Sequence, residues 1–218
     1  MKRTLFWFAL CMAAPVWAVQ PAYDLSALPE DHHVAVFAAG CFWCLEPAFD
    51  AIDGVIETVA GYTGGHYERP NYRIISRLDT GHVEAMLVRY NPSIVNYRQL
   101  LTVYWANTDP EDPTGQFCDR GDRYTSAIFY RSATQRALAE RSRTALIDSG
   151  ALARPVATAV RPLGAFWIAE DYHQNFYLQR TFSYTFYRER CGRDERLAAI
   201  WGPESGRTGR LHTLLWVD

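Results

Sequence analysis

The sequence predicts an α+β fold, a two-layer ferredoxin-like core with the element order β-α-β-β-α-β. Two observations lead to this prediction. Short apolar runs of strand length alternate with longer segments of helical periodicity, and the first six elements follow that order. Beyond an N-terminal leader, about 200 residues remain without an internal repeat or linker, which suits a single domain.

The elements of the core can be assigned in chain order. Residues 34–39 form a continuous apolar run that indicates a buried strand, and residues 83–90 are predicted to form a strand whose side chains alternate in burial. Asn91-Pro92-Ser93 is typical of a helix start. The predicted core consists of strand 34–39, helix 43–52, strands 55–62 and 83–90, a helix that begins after 91–93 and runs through Tyr104, and strand 125–130.

The rest of the chain is predicted to add peripheral elements. We expect a helix over 132–149, a strand over 157–161 and a short helix over 170–179. From Arg193 onward the sequence shows little periodicity, which predicts a long irregular C-terminal segment. Residues 107–124, rich in Asp, Pro and Gly, predict a long loop, and loops of that length are usually functional.

The N-terminus is interpreted as a cleavable signal peptide. Lys2 and Arg3 give a basic start, the apolar stretch that follows is too short to span a bilayer, and Val16-Trp17-Ala18 supplies small residues for cleavage. A short membrane anchor or a disordered tail is the alternative. We expect a periplasmic or secreted protein. The predicted segments are a signal peptide over 1–18, an N-terminal extension over 19–33 and one domain over 34–218.

The composition excludes several classes of function. Lys2 is the only lysine, so Schiff-base catalysis, phosphate-loop lysines and lysine general bases are excluded. The formal net charge is −2, and removal of Lys2 and Arg3 leaves 20 basic against 24 acidic side chains without a basic stripe. We therefore expect no nucleic-acid partner. We also expect a monomer without stable membrane association, because no other apolar stretch is long enough to span a bilayer.

The segment Gly40-Cys41-Phe42-Trp43-Cys44-Leu45-Glu46 carries the strongest chemical signal. Cys41 follows a predicted strand and precedes a predicted helix, whose unpaired N–H groups and positive end favour a thiolate. Phe42 and Trp43 would form an apolar surface beside the sulfur. We interpret Cys41 as a nucleophile, and the alternative is a buried structural cysteine.

The other cysteines leave several pairings open. An even number of cysteines in an exported chain suggests disulfides, and a structural role fits Cys118 and Cys191 better than Cys41. Cys41 and Cys44 have Cys-x-x-C spacing, which fits a thioredoxin-type pair, half of a zinc site, or a nucleophile with a neighbouring resolving thiol. The chain has no second Cys-x-x-C, so we expect no metal.

Five further residues could take part in catalysis. Glu84 lies in an otherwise apolar strand, where burial would raise its pKa and let it hold a proton near neutral pH. The alternative is an outward-facing strand residue. The hydroxyls of Tyr72 and Tyr124 could stabilise a developing oxyanion, and Asp119 lies in the long loop. His173 fits a core hydrogen-bonding role as well as a catalytic one.

Several motifs together resemble the peptide methionine sulfoxide reductase A family. The resemblance runs from about Val34 to Trp201 and implies a ferredoxin-like α+β core, in agreement with the element order. The motifs that carry it are Gly40-Cys41-Phe42-Trp43 followed by Glu46, then Gly61-Tyr62-Thr63-Gly64-Gly65, Gly81-His82-Val83-Glu84 and Glu170-Asp171-Tyr172-His173-Gln174.

The resemblance implies a specific chemistry. Cys41 would attack the sulfur of a methionine S-sulfoxide, free or in a protein, and become a sulfenic acid as methionine leaves. Phe42 and Trp43 would surround the methyl group of the substrate. Glu84 would donate a proton to the sulfoxide oxygen, because an ionised carboxylate would repel it.

The resemblance also implies the remaining roles and the partners. Tyr72 and Tyr124 would hydrogen-bond to the sulfoxide oxygen, and Asp119 matches an acidic active-site position. The family needs no cofactor, but it needs an external dithiol as reductant. This reductant is thioredoxin or, for an exported enzyme, a periplasmic thioredoxin-like protein. The implied function is repair of exported proteins after oxidative stress.

The thiol that resolves the sulfenic acid stays open. Many family members have Gly at the position of Cys44 and Asn at that of Cys118, and their usual resolving cysteine lies in a C-terminal tail. Cys191 is the nearest equivalent. The candidates are therefore Cys191, Cys44 and Cys118.

Two other functions compete with this hypothesis. A thiol–disulfide oxidoreductase would use Cys41 and Cys44 as its redox pair and would not depend on Glu84. A secreted binding domain without enzymatic activity would use Cys118 and Cys191 as a structural disulfide and would lack a fast-reacting thiol.

Overall fold

The computed structural model describes residues 21–28 and 33–216. The predicted signal peptide over 1–18 lies outside the described residues, as do residues 19–20 and 29–32 of the extension predicted over 19–33. The elements are β1 His33–Ala38, α1 Phe42–Asp50, β2 Val55–Thr63, α2 Tyr72–Ile75, β3 Val83–Tyr90, α3 Tyr97–Ala106, β4 Gly115–Gln116, β5 Asp119–Arg120, β6 Ala127–Tyr130, α4 Ala133–Asp148, β7 Ala159–Pro162, β8 Trp167–Ile168, α5 Phe176–Gln179, α6 Thr181–Arg190, α7 Arg193–Trp201 and α8 Arg207–Leu215.

The main sheet confirms the predicted α+β topology. Its strand order is β7-β6-β1-β3-β2-β8, and the central four strands pair in the order β6-β1-β3-β2, all antiparallel. This is the order that a ferredoxin-like β-α-β-β-α-β chain produces. The edge strand β7 pairs parallel to β6, and β8 pairs antiparallel to β2 at the other edge.

Both faces of the sheet are covered, which explains the continuous apolar run of β1. Ala35 and Phe37 point into the larger core, which the sheet forms with α1, α3 and α4. Val34 and Val36 point to the opposite face, where Tyr23, Leu25 and Leu28 pack together with the 163–168 segment. A strand buried on both faces has apolar residues at every position instead of at every second one.

The prediction of an irregular C-terminal segment is wrong. Residues from Arg193 onward form α7 and α8, and each buries two apolar side chains four positions apart, Leu197 with Trp201 and Leu211 with Leu215. Each helix has only nine residues and many exposed polar side chains, so its apolar stripe is too short to stand out in the sequence. Within the described part of the chain, no helix is long and apolar enough to cross a bilayer.

The predicted start of the second core helix is also wrong. Asn91-Pro92-Ser93 lies in a turn, and α3 begins at Tyr97. Asn96 caps it: its side chain accepts from the N–H of Gln99, while the side chain of Gln99 accepts from the N–H of Asn96. This reciprocal capping box satisfies two free donors at once, so it stabilises the helix start more than the earlier Asn-Pro-Ser signal does.

The helix predicted over 170–179 is interrupted. A 3-10 turn spans Asp171–His173, and α5 follows from Phe176. Asn175, which separates them, has a positive φ of 52°, and its N–H donates to Glu46 Oε1 at 2.8 Å. The contact with Glu46 fixes this break, so no local propensity could reveal it.

The long loop over 107–124 has more order than its composition predicts. It contains the two short strands β4 and β5, which pair with each other. The side chain of Gln116 bonds both the N–H and the carbonyl oxygen of Asp109, and Arg196 from α7 bonds the carboxylates of Asp109 and Glu111. These contacts hold the loop beside the start of α1.

Candidate active site

Cys41 lies at the junction between β1 and α1. Gly40 before it has a positive φ of 77°, and a Cβ at this position would lie 2.6 Å from Cβ of Gln116. Only glycine fits such a backbone and such a close approach. Cys41 is the N-cap residue of α1, but its side chain does not cap the helix, so the sulfur is free to face the site.

The predicted thiolate character of Cys41 is wrong for the thiol in this structure. Only 5% of Cys41 is exposed, and burial raises the pKa of its thiol, with further contributions from Cys44, Glu84 and Asp119. The hydrogen bond between the two thiols lowers the pKa of Cys44 to about 7, and the charge of Arg193 adds to this. Loss of hydration therefore outweighs the helix terminus at Cys41, and the first proton leaves Cys44.

Glu84 is a buried carboxyl beside the nucleophile. It lies on β3 opposite Tyr62 of β2, is 2% exposed, and accepts a hydrogen bond from the N–H of Phe42 at 3.4 Å. Burial raises the pKa of Glu84 to about 8, against the smaller opposing effect of the Phe42 hydrogen bond. The carboxyl therefore keeps its proton at neutral pH. The alternative of an outward-facing strand residue is wrong.

The structure brings Tyr72 and Tyr124 together. Their hydroxyls lie close enough to each other to interact, and Tyr124 is close enough to Glu84 to interact with its charge. Burial raises the pKa of Tyr124, so its hydroxyl stays a donor. Tyr72 is held at the start of α2, where its N–H donates to Glu170 Oε1 at 2.9 Å.

Phe42 and Trp43 form an aromatic surface next to Cys41. Phe42 is 1% exposed, and Trp43 stacks on Phe176 with ring centroids 3.8 Å apart. The indole N–H of Trp43 donates to Nδ1 of His173 at 3.2 Å. Burial lowers the pKa of His173 to about 4, so the ring is neutral and Nδ1 can accept.

Asp119 faces the same site from the loop. The hydroxyl of Tyr187, on α6, donates to Asp119 Oδ2 at 2.5 Å, and the Tyr187 ring packs edge-on against Trp43 at 5.9 Å. Burial raises the pKa of Asp119. Helix α6 therefore covers the site and leaves Cys41 almost without solvent contact.

This arrangement supports reduction of a polar oxygen-bearing group. It combines a thiol nucleophile, a protonated carboxyl and two hydroxyl donors with an aromatic wall. The acid and the hydroxyls can stabilise charge that develops on an oxygen, and the aromatic rings can hold an apolar substituent.

Comparison with known proteins decides the family. The family model for peptide methionine sulfoxide reductase matches residues 33–205. The chain belongs to the peptide methionine sulfoxide reductase family. One similar relative is the MsrA protein of Halalkalibacterium halodurans, which is 45% identical over 168 residues, 77% of this chain and 96% of the relative. Another is the MsrA protein of Streptococcus agalactiae, which is 47% identical over 143 residues, 66% of this chain and 85% of the relative.

Solved structures of the family agree in fold. Mxr1 from Saccharomyces cerevisiae in reduced form superposes with a TM-score of 0.66 at 25% identity and covers 71% of this chain and 88% of its own. Methionine sulfoxide reductase A of Corynebacterium diphtheriae gives a TM-score of 0.63 at 28% identity, with coverages of 75% and 83%. The implied family is thus confirmed.

Membership decides between the competing functions. The chain is an oxidoreductase that reduces methionine sulfoxide, as the resemblance implies. A general thiol–disulfide oxidoreductase is not favoured, and a binding domain without activity is not supported.

Within the described part of the chain, the cysteines of this reductase form two separate pairs. Cys118 and Cys191 are joined by a disulfide with Cα atoms 4.9 Å apart, whereas Cys41 and Cys44 are free thiols. Donor atoms of Cys118, Asp119 and Cys191 lie within 4.8 Å of one another, but the two sulfurs are bonded to each other and do not offer separate thiolate ligands.

Sequence reasoning missed several residues that complete this reductase site. Phe176 and Tyr187 enclose Trp43, and Arg193 approaches the thiols from the start of α7. The carboxylate of Glu170 accepts hydrogen bonds from the hydroxyl of Tyr62 at 2.8 Å and from the N–H of Tyr72 at 2.9 Å. Glu170 was visible as part of a motif, but the other three lie in segments without a recognisable pattern.

Proposed function

We propose that this reductase acts on the S epimer of methionine sulfoxide, free or in proteins, through a sulfenic acid on Cys41. The observation that carries the proposal is Glu84, a carboxyl whose pKa is raised to about 8 by burial and which lies against the residue after Cys41. Such a group can protonate the sulfoxide oxygen at neutral pH.

In the reaction, Glu84 donates its proton to the sulfoxide oxygen, which makes the sulfur more electrophilic. Cys41 Sγ attacks that sulfur, the oxygen is transferred to Cys41 as a sulfenic acid, and methionine leaves as the thioether. The substrate sulfur is reduced by two electrons and the Cys41 sulfur is oxidised by two. The proton that Cys41 loses restores Glu84.

The surrounding side chains orient the sulfoxide. Tyr72 and Tyr124 donate hydrogen bonds to its oxygen, while Phe42 and Trp43 contact its methyl group. Because the oxygen and the methyl group of the sulfoxide each have their own partners, the site distinguishes the two configurations at sulfur. Substrate entry requires displacement of the Tyr187 ring, since Cys41 is 5% exposed. Asp119, released from Tyr187, then faces the substrate.

The enzyme repairs exported proteins and receives electrons from a thioredoxin-like protein. The basic and apolar start of the sequence supports export. The Cys118–Cys191 disulfide fits an oxidising compartment, where a membrane-fed dithiol relay supplies reductant. An N-terminus at Val19 on protein recovered from the periplasm would support this assignment, and an intact Met1 there would contradict it.

The activity is tested with two peptides that carry the S or the R epimer of methionine sulfoxide, with dithiothreitol as reductant. We expect methionine from the S epimer only. Cys41→Ser should be inactive, and Cys44→Ser should still produce methionine. Full activity of Cys41→Ser, or equal rates on both epimers, would contradict the proposal.

A further inference from the structure

We infer that Cys44 is the thiol that resolves the Cys41 sulfenic acid and that Arg193 is a positioning residue that holds Cys44 for this attack. The inference rests on the proposed function, because that reaction forms the sulfenic acid. It chooses among three cysteines that the sequence leaves equivalent.

The position of Cys44 fits this role. Among the described residues, Cys41 and Cys44 are the free thiols, and Cys118 and Cys191 are bonded to each other. The N–H of Cys44 donates to the carbonyl oxygen of Cys41 at 3.1 Å, so the two residues are joined by one turn of backbone. Their thiols lie close enough for each to shift the pKa of the other. A Cys-x-x-C pair at a helix start can close a disulfide without a large backbone movement.

Arg193 is a buried guanidinium whose acceptors are main-chain carbonyls. It is 1% exposed and donates to the carbonyl oxygens of Ala39 at 3.4 Å and Asn107 at 2.6 Å, with its guanidinium 4.3 Å above the ring of Phe117. Its Nε is buried and has no hydrogen-bond partner among the described residues. A buried cation without a carboxylate bonded to it is costly, and an anion nearby offsets that cost.

A thiolate on Cys44 is the anion that this charge favours. After the hydrogen bond from Cys41, Arg193 makes the largest favourable charge contribution to Cys44. The resulting pKa of about 7 leaves Cys44 partly ionised at neutral pH. An attacking thiol is most effective when its pKa is near the ambient pH, because it then combines thiolate fraction with nucleophilicity.

The disulfide at Cys118–Cys191 has a structural role in this arrangement. Cys191 ends α6 two residues before Arg193, and Gly192 between them has a positive φ of 64° that allows α7 to begin there. The bond to Cys118 therefore fixes the start of α7, and with it the guanidinium, against the active-site loop.

The step balances. The Cys44 thiolate attacks the sulfur of the Cys41 sulfenic acid, a sulfur–sulfur bond forms, and the sulfur–oxygen bond breaks. The hydroxyl leaves as water with a proton that Glu84 or solvent supplies. The Cys44 sulfur is oxidised by one electron and the Cys41 sulfur is reduced by one. The Cys41–Cys44 disulfide is then the species that the external dithiol reduces.

The pairing is tested by peptide mapping after one turnover with the S-sulfoxide peptide and no reductant. We expect one methionine per enzyme and a new Cys41–Cys44 disulfide. Cys44→Ser should also yield one methionine but leave a Cys41 sulfenic acid that dimedone traps. Cys118→Ser/Cys191→Ser should form the same Cys41–Cys44 bond.

Three outcomes would contradict the inference. A disulfide from Cys41 to Cys118 or Cys191 would overturn it and leave the proposed function intact. Formation of a disulfide at Cys41 in the Cys44→Ser variant, at the rate of the wild type, would do the same. Failure of the wild type to form any methionine would overturn the proposed function itself, and this inference with it.

The role of Arg193 is tested by the pH dependence of disulfide formation, measured separately from methionine release. In the wild type this rate should rise with pH as Cys44 ionises, because the charge of Arg193 favours its thiolate. Arg193→Met should lower the rate at pH 7 about ten-fold and move the profile to higher pH, while Arg193→Lys, which keeps the charge, should restore most of it. The titratable and charged groups that surround Cys44 are Cys41, Glu84, Asp119, Tyr184, Tyr187, Arg188 and Arg193.

Arg196→Met is the matched control, since it removes a guanidinium from the same helix that pairs with Asp109 and Glu111 instead. Its pH profile should match the wild type even if its stability falls. If the pH profile of Arg193→Met is not shifted, the assignment of Arg193 is wrong. If Arg193→Met folds poorly, Arg193→Lys decides: a loss of rate in Arg193→Lys as large as that in Arg193→Met would also overturn the assignment.

Discussion

The N–H of Phe42 donates to Glu84 Oε2 across 3.4 Å, so the residue after the nucleophile is bonded to the acid. This contact joins the first turn of α1 to β3 and fixes where the proton is held. Hydrogen bonding alone would lower the pKa of the carboxyl, but burial dominates and raises it to about 8.

The first prediction concerns pH. The first-turnover rate of methionine release should be high below pH 8 and fall as the pH rises through about 8, because Glu84 then loses the proton it donates. A carboxyl at its ordinary pKa of 4.5 would already be ionised at neutral pH. Quenched-flow measurement of methionine in a single turnover isolates this step from disulfide formation. A rate that falls between pH 4 and 6 would contradict the prediction.

The second prediction concerns the acid itself. Glu84→Gln keeps the shape of the side chain and an acceptor for the Phe42 N–H but cannot transfer a proton. We expect the single-turnover rate to fall by about 10²–10⁴-fold, with little change in the free energy of unfolding. Glu57→Gln, which removes a half-exposed carboxylate from the neighbouring strand, serves as control and should keep its rate. A loss of less than ten-fold in Glu84→Gln would contradict a role as proton donor.

The parts of the site that the sequence could predict are those set by short-range pattern. Gly40-Cys41 follows an apolar strand directly, and Glu84 interrupts an apolar strand. Each therefore stands out from the few residues on either side of it in the sequence. Tyr187 and Arg193 come to the site only when α6 and α7 pack against the loop before β6. Their roles depend on contacts across more than sixty residues of sequence, such as the bond between Tyr187 and Asp119, which no local periodicity encodes.

The same distinction explains the error about Cys41. The sequence shows that the residue precedes a helix, and this local fact favours a thiolate. It does not show that α6 covers the sulfur, and the resulting loss of hydration raises the pKa. Burial is a property of the complete fold.

The third prediction concerns access to the nucleophile. Tyr187→Ala should increase the rate at which iodoacetamide alkylates Cys41 by about ten-fold or more, because it removes the ring that packs on Trp43 and closes the site. Phe182→Ala is the matched control: it removes an aromatic ring from the same helix, but one that is 84% exposed. Equal alkylation of both variants would show that Tyr187 does not limit access. The modified residue is identified by mass spectrometry.

The fourth prediction concerns the disulfide. Cys118 and Cys191 are 73 positions apart, and a bond that closes a loop of this length constrains the unfolded chain by about 4 kcal/mol. Cys118→Ser/Cys191→Ser should lose stability of that order in urea unfolding, whereas Cys44→Ser should lose much less. Equal stability of the double variant and the wild type would show that the bond adds no constraint.

The last prediction concerns stability and pH. Glu46 on α1 is fully buried; its Oε1 accepts from the N–H of Asn175, and its Oε2 has no hydrogen-bond partner in the described part of the chain. Burial raises the pKa of Glu46 from 4.5 to about 7. Below pH 4.5 the carboxyl is neutral in both states. Between pH 4.5 and about 7 the unfolded chain releases a proton that the folded protein keeps, so the free energy of unfolding falls.

Above about pH 7 this penalty is complete and amounts to about 3 kcal/mol. Glu46→Gln is neutral at every pH and can still accept from Asn175, so it should be more stable than the wild type at pH 8 and nearly equal to it at pH 4.5. Urea unfolding of both proteins at the two pH values measures the difference. Glu140→Gln, a change at a surface carboxylate paired with Arg136, should show no such gain. A stability difference in Glu46→Gln that does not change with pH would contradict the raised pKa and indicate a packing effect instead.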